Sequence, residues 1–169
     1  MITYRDAVPA DAAAMTEVVN ATFVETFAPL YSEANLRRFL SERTDAVHAQ
    51  ELADPAFTVR FAEDDGAIIG FAKLGPPALP FPPTRRVAIE LRQLYVYRRH
   101  HGAGVARMLM DWVIMTARQR GAADLYLSVF TDNPRARAFY ARYGFVEVGP
   151  YHYMVGDQAD EDIICRLDL

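Results

Sequence analysis

Leu94-Tyr95-Val96-Tyr97-Arg98-Arg99-His100-His101-Gly102-Ala103-Gly104-Val105-Ala106 joins the end of an apolar strand to the start of a long amphipathic helix. Ile89 to Val96 reads as the strand, and Val105, Met108, Leu109, Trp112 and Thr116 recur at spacings of three and four until Gly121 ends the stripe. A helix start leaves several backbone N–H groups without intrahelical partners, and its dipole favours negative charge. The Arg99 to Gly104 loop can therefore hold a phosphate or pyrophosphate, with Gly102 and Gly104 letting the backbone come close. An ordinary strand-to-helix turn accounts for the same residues, so the loop alone leaves both readings open. No Gly-Lys-Ser/Thr follows, and the third glycine of the dinucleotide fingerprint is missing, which disfavours kinase and dehydrogenase chemistry.

Beyond the helix, Leu125 to Val129 is the next strand. A strand-helix-strand run implies a right-handed crossover and a locally parallel pair. Asn133-Pro134 opens a further helix to about Tyr143, Gly144 closes it, and Phe145 to Val155 and Asp162 to Leu169 complete the strands. Toward the N-terminus, Gly75-Pro76-Pro77 to Pro82-Pro83 cannot supply a continuous ladder of donors and is expected as a loop. Phe57 to Ala62 and Ala67 to Ala72 flank Asp64-Asp65-Gly66, a hairpin signature. Thr3 to Arg5 is a short first strand. Met15, Val18, Val19 and Phe23 mark the first helix, and Ser32 and Asp45 open two shorter ones. The expectation is one α/β (α+β) domain spanning 1–169, a mixed sheet of six or seven strands with helices on both faces.

Of the 169 residues, 51% are hydrophobic and 24% charged, the profile of one domain with a real core. No apolar run approaches the roughly 20 residues that span a bilayer, so a membrane role is not expected and the cytoplasm is. Cys165 is the single cysteine, and His48, His100, His101 and His152 show no metal-ligand spacing; no metal is expected. A formal charge of −4 argues against nucleic acid as partner and leaves room for a cationic one.

Two motifs resemble those of the GNAT superfamily of N-acetyltransferases. The signature of arginine or glutamine, two residues, glycine, one residue, glycine or alanine stands here as Arg99, Gly102 and Gly104. The later pattern stands as Leu127, Val129, Asn133, Ala136, Phe139-Tyr140 and Gly144-Phe145, all in register. The resemblance covers about Glu90 to Gly149 and implies acetyl-CoA as co-substrate, bound in a cleft where a parallel strand pair splays. Leu94, Tyr95 and Val96 would then pair with the pantetheine amides, and Arg99, His101, Gly102, Ala103, Gly104, Val105 and Ala106 would receive the pyrophosphate. Asn133 combines a helix cap with a cofactor contact.

Tyr140 matches the family tyrosine that protonates the leaving thiolate, a role open to a phenol of pKa about 10 facing a thiolate of about 8.5. A base must take a proton from the acceptor amine. Glu90 is the candidate, since some members place a glutamate at that position and strand alternation would put it on one face with Arg92, Leu94 and Val96. A strand-end carboxylate paired with Arg92 accounts for the same residue, and many members use ordered water. Glu25 is a further candidate for acceptor binding.

Val155-Gly156-Asp157-Gln158, Asp162-Ile163-Ile164, Glu25-Thr26-Phe27 and Tyr31-Ser32 resemble a GNAT branch that includes spermidine/spermine acetyltransferases. The acceptor so implied is a small-molecule primary amine such as a polyamine. The rivals are a non-catalytic acyl-CoA-binding regulatory domain and a protein lysine or N-terminal acetyltransferase. The tail Tyr151-His152-Tyr153 either packs internally or forms a homodimer contact.

Overall fold

Asp65 and Gly66 both adopt positive φ, 49° and 82°, as a two-residue type I′ turn requires. They join β2 (Thr58–Asp64) to β3 (Ala67–Gly75) in the expected antiparallel hairpin. The structure is a computed structural model that describes residues 1–81 and 86–169. β1 (Ile2–Asp6) flanks β2, and β4 (Ala88–Val96) flanks β3. With β5 (Asp124–Phe130), β6 (Val146–Val155) and β7 (Gln158–Asp168), the sheet runs β1-β2-β3-β4-β5-β7-β6. Every neighbouring pair is antiparallel except β4 with β5, where the crossover demands a parallel register. The expected loop after Gly75 is irregular through Phe81; its Pro82-Pro83 end lies outside the described residues.

The helices cover both faces. α4 (Val105–Gln119) packs one face through Val105, Leu109, Met110, Val113 and Ala117, and α5 (Pro134–Arg142) adds Ala136, Phe139 and Tyr140 to the same core. The expected α4 stripe is rotated: Met108 is 46% exposed. The row at i, i+4, i+8 and i+12 from Val105 faces the sheet instead. On the opposite face α1 (Ala12–Phe27) buries Met15, Val18 and Val19 against Val59, Phe61 and Phe71. Its C-terminal end carries Phe23 into a cluster with Phe39 of α2 (Glu33–Ser41) and Val155. Ser32 caps α2 as expected. The cap of α3 (Asp45–Ala53) is Thr44, one residue before the expected Asp45, because its hydroxyl accepts from the Val47 amide at 3.4 Å. β7 starts four residues before Asp162, since Val155 pairs with Gln158 across a tight turn.

Bulges set which side chains face which layer. Between β3 and β4 the register steps from Lys73↔Gln93 to Leu74↔Leu91, so Arg92 is the extra residue. An inserted residue inverts the two-residue alternation. Ile89 and Leu91 join the α4-side core before the bulge, Leu94 and Val96 join it after, and Tyr95 packs on the α1 side. Glu90 therefore faces away from Leu94 and Val96, which corrects the shared face expected from simple alternation.

A second bulge steps from Ala62↔Gly70 to Glu63↔Ile68. Here the absence of a side chain at Gly70 is required: a Cβ would lie 2.7 Å from the Tyr95 carbonyl oxygen and 3.0 Å from Val96 Cγ2. Gly70→Val should push β3 off β4 at the residues that form one wall of the splay described below. The expected loss is about 1–3 kcal/mol of stability, read as a lower melting temperature in thermal unfolding.

Candidate active site

The parallel ladder between β4 and β5 consists of Ala88↔Asp124, Ile89↔Leu125 and Glu90↔Tyr126. Past these pairs β4 stays on β3 as far as Gly70↔Val96, while β5 stays on β7 as far as Phe130↔Asp162. The facing edges diverge, and their backbone N–H and C=O groups lack the strand partner that the rest of the sheet supplies. A cavity of about 590 Å³ opens in the wedge, walled by Leu94, Tyr95 and Val96 on one side and Leu127 to Phe130 on the other.

One mouth of the cavity is built by the loop into α4. Gly102 and Gly104 have φ of 87° and 80°, and a Cβ on either would meet no atom within 4 Å. The loop can thus bring backbone to a ligand. The first intrahelical bond of α4 runs from the Met108 amide to the Gly104 carbonyl at 3.1 Å. The amides of Val105, Ala106 and Arg107 precede it, and these residues line the cavity with Gly102 and Gly104. His101 lines it too, its Nε2 2.9 Å from the Val96 carbonyl oxygen and its Nδ1 2.5 Å from an Arg135 guanidinium nitrogen. Glu25, considered above for the acceptor, lines the cavity and also latches α1 to the loop: its carboxylate accepts from the Arg98 amide at 2.7 Å.

Two expected cofactor residues are not brought to the cavity wall. Ala103 spends its amide on the His100 carbonyl at 3.3 Å. Arg99 lies over the Tyr97 ring at 4.8 Å and donates to His100 Nε2 at 3.0 Å, because the 3-10 turn Arg98–His100 aims it outward. The cationic residues that do line the mouth are Arg98, Arg107, Arg135 and Arg142. Arg107, Arg135 and Arg142 were missed in the sequence, where only their clustering on two adjacent helix starts and one helix end would have signalled them.

Asn133 lines the cavity and caps α5, its Oδ1 accepting from the Ala136 amide at 3.1 Å. Tyr140, about two helical turns along α5, sits with its ring 5.7 Å from that of Phe145. Its hydroxyl has no hydrogen-bond partner among the described residues. Burial, and secondarily Cys165, raise its pKa above the ordinary phenol value, so it stays protonated at neutral pH. Tyr95 is raised in the same way, first by burial, then by Tyr153 and Tyr140, with Asp162 also contributing.

Glu90 does not line this cavity. Turned by the bulge, it accepts from the amides of Ala78 and Leu79 at 2.6 and 3.2 Å and pairs with Arg92 at 3.4 Å. It borders instead a smaller cavity of about 310 Å³ with His48, Glu51 and Lys73. Its carboxylate anchors the segment after β3, which corrects its expected place beside the reacting groups.

The other end of the main cavity lies on the α1 side of the sheet. Asp160 and Asp162 of β7 line it, with Phe27, Tyr31, Phe130 and Tyr153 around them. Tyr31 Oη donates to Asp160 Oδ2, and Gln158 Nε2 donates to Oδ1 at 2.9 Å. Asp162 is 8% exposed. Burial pushes its pKa up to about 6, against the opposing hydrogen bond from Ser128, and the Asp160 charge adds to the rise. In the sequence Asp162 stands only in the segment that resembles the spermidine/spermine branch and at the start of the last strand.

The sequence profile of the acetyltransferase (GNAT) family matches residues 18–145, from α1 to the end of the Tyr140 segment. The chain belongs to the GNAT family. An uncharacterized N-acetyltransferase of Mycobacterium tuberculosis is 31% identical over 160 residues, covering 94% of this chain and 98% of that one. The PaiA N-acetyltransferase of Thermoplasma acidophilum, solved with coenzyme A, superposes with a TM-score of 0.80 at 20% identity, covering 100% of this chain and 99% of that one. YncA of Salmonella typhimurium, a putative acetyltransferase solved with acetyl-CoA, gives 0.70 at 23% identity over 100% of this chain and 94% of that one. The protein is thus an N-acetyltransferase by family, with the GNAT fold.

In this GNAT chain a carboxylate held above its ordinary pKa costs stability when ionised. Asp162 binds its proton more tightly folded (about 6) than unfolded (3.8). The penalty is therefore full above pH 6 and vanishes as pH falls below about 4. Asp162→Asn should raise the melting temperature at pH 7.5, with the gain closing between pH 6 and 4 in a pH series of thermal melts.

Proposed function

We propose that the protein transfers the acetyl group of acetyl-CoA to a primary amine of a small molecule by direct attack in a ternary complex, with a polyamine as the foremost acceptor. The observation that carries this reading is a single cavity with a basic mouth at the start of α4 and an acidic, aromatic end at β7. Such polarity suits a pyrophosphate at one end and an ammonium group at the other.

The residues fit the co-substrate. Unpaired amides of Val105, Ala106 and Arg107 and the cations of Arg107, Arg135 and Arg142 would take the phosphates. Backbone on the cavity side of β4, at Leu94 and the Val96 N–H, would pair with amides of an extended arm, fixing its position by main-chain hydrogen bonds. Asn133 and Tyr140 stand on the α5 side of the same path. When bound, acetyl-CoA supplies the activated acyl group.

The amine lone pair attacks the carbonyl carbon, the C–S bond breaks with its electrons going to sulfur, and Tyr140 gives its phenolic proton to the thiolate. The partnerless hydroxyl of Tyr140 favours this role over that of a core aromatic and favours catalysis over a regulatory binding domain. For the acceptor, the acidic end and the net charge of −4 support a cation.

Release of coenzyme A thiol should be seen with polyamines in a panel that also holds aminoglycosides, amino acids and lysine peptides. Turnover confined to peptides would replace the small-amine reading, and tight acetyl-CoA binding with no turnover on any amine would favour the regulatory one. Tyr140→Phe should lower kcat by about 10- to 100-fold and leave the acetyl-CoA Kd from calorimetry nearly unchanged, because one hydroxyl and little contact area are lost. Unaltered kcat would remove Tyr140 from the acid role.

A further inference from the structure

We propose that Asp162 is the catalytic base that takes the proton of the incoming ammonium group. The proposal rests on the acetyltransferase reading above. With Glu90 turned to the segment after β3, the carboxylates on the cavity wall are Glu25, Asp160 and Asp162. Glu25 holds the loop amide of Arg98 through Oε2, and Asp160 accepts from Tyr31 and Gln158, one on each oxygen. Among the described residues, Ser128 is the one side-chain hydrogen-bond donor to Asp162. An ionised carboxylate offers about four acceptor positions, so room remains for an ammonium.

Its position suits the task. Asp162 pairs with Phe130 in the β5–β7 ladder, and Ser128, its hydrogen-bond donor, lies two residues past the last β4–β5 pair. The Tyr95 phenol feels both Tyr140 and Asp162. Tyr140, from the α4-side core, and Tyr95, from the α1 side, line the same cavity as Asp162. An amine entering from the α1 side meets Asp162 before it reaches the acyl carbon that Tyr140 serves.

The step balances. Asp162 takes one proton from R–NH3⁺, and the freed lone pair forms the C–N bond as the C–S bond breaks. Tyr140 protonates the sulfur, and the second N–H proton of the new amide restores the Tyr140 phenol. Asp162 returns its proton to solvent. The other titratable groups facing Asp162 are Asp160 on its own strand, Tyr151 and Tyr153 on β6, Tyr31 before α2, Tyr95 on β4, and Arg43, which reaches it through Tyr153. Tyr31, Tyr95 and Tyr153 are held above the ordinary phenol pKa by burial and stay neutral. A rise in rate centred near pH 6 therefore belongs to a carboxylate, active once deprotonated.

The test is the pH profile of kcat/KM for wild type, Asp162→Asn, Asp162→Glu and Glu90→Gln, with acetyl-CoA affinity measured by calorimetry on each. Asp162→Asn is expected to lose about 100-fold or more in rate and to lose the rise near pH 6, with acetyl-CoA Kd unchanged. Asp162→Glu should regain the rise, and Glu90→Gln should keep it. An Asp162→Asn enzyme that keeps the rise, or loss of the rise in Glu90→Gln alone, would overturn the assignment. A wild type that binds acetyl-CoA yet acetylates no amine would overturn the assignment together with the reading it rests on.

Discussion

Everything functional in this molecule depends on the parallel ladder of β4 and β5 stopping at Glu90↔Tyr126. Each strand keeps its outer neighbour, so the divergence does not unravel the sheet. It leaves two rows of backbone donors and acceptors facing each other across a gap, and unpaired main-chain groups next to apolar side chains demand a partner. A ligand that carries its own amides satisfies that demand. The crossover helix α4, required because the pair is parallel, sets its unpaired N-terminal amides at the mouth of the same gap. One topological feature thus yields both the slot and the anion site.

The bulge at Arg92 is the second constraint. By inverting the alternation of β4, it keeps Ile89 and Leu91 in the α4-side core and also returns Leu94 and Val96 to that side. It sends Glu90 to the opposite face, where two loop amides and Arg92 consume its carboxylate. The same device that shapes the wall of the cavity therefore disqualifies the acidic residue nearest to it in sequence.

The two ends of the cavity differ because they come from different layers. The α4 and α5 starts bring amide dipoles and arginines, whereas β7 and the segment before α2 bring carboxylates and phenols. Tyr31, reaching Asp160 from 129 residues away in the chain, ties the two halves of the acidic end together. Aromatic rings of Phe27 and Phe130 exclude water there, and that desolvation is what raises Asp162.

Sequence alone determined the features whose physics is local. The Asp65-Gly66 turn, the Ser32 and Asn133 caps, the glycine loop before α4 and the strand-helix-strand order all follow from backbone preferences within a few residues. The family motifs around Gly102, Gly104 and Tyr140 led to the fold and to residues that line the cavity. Tertiary structure alone decided what depends on register between distant strands. It turned Glu90 away and brought Asp160 and Asp162 to the slot. A bulge changes no residue type, so nothing in the alternation of β4 announces it. One aspartate in the acidic run Asp160-Glu161-Asp162 likewise stands out from its neighbours only when the fold closes around it, because its burial and basicity are supplied by that packing.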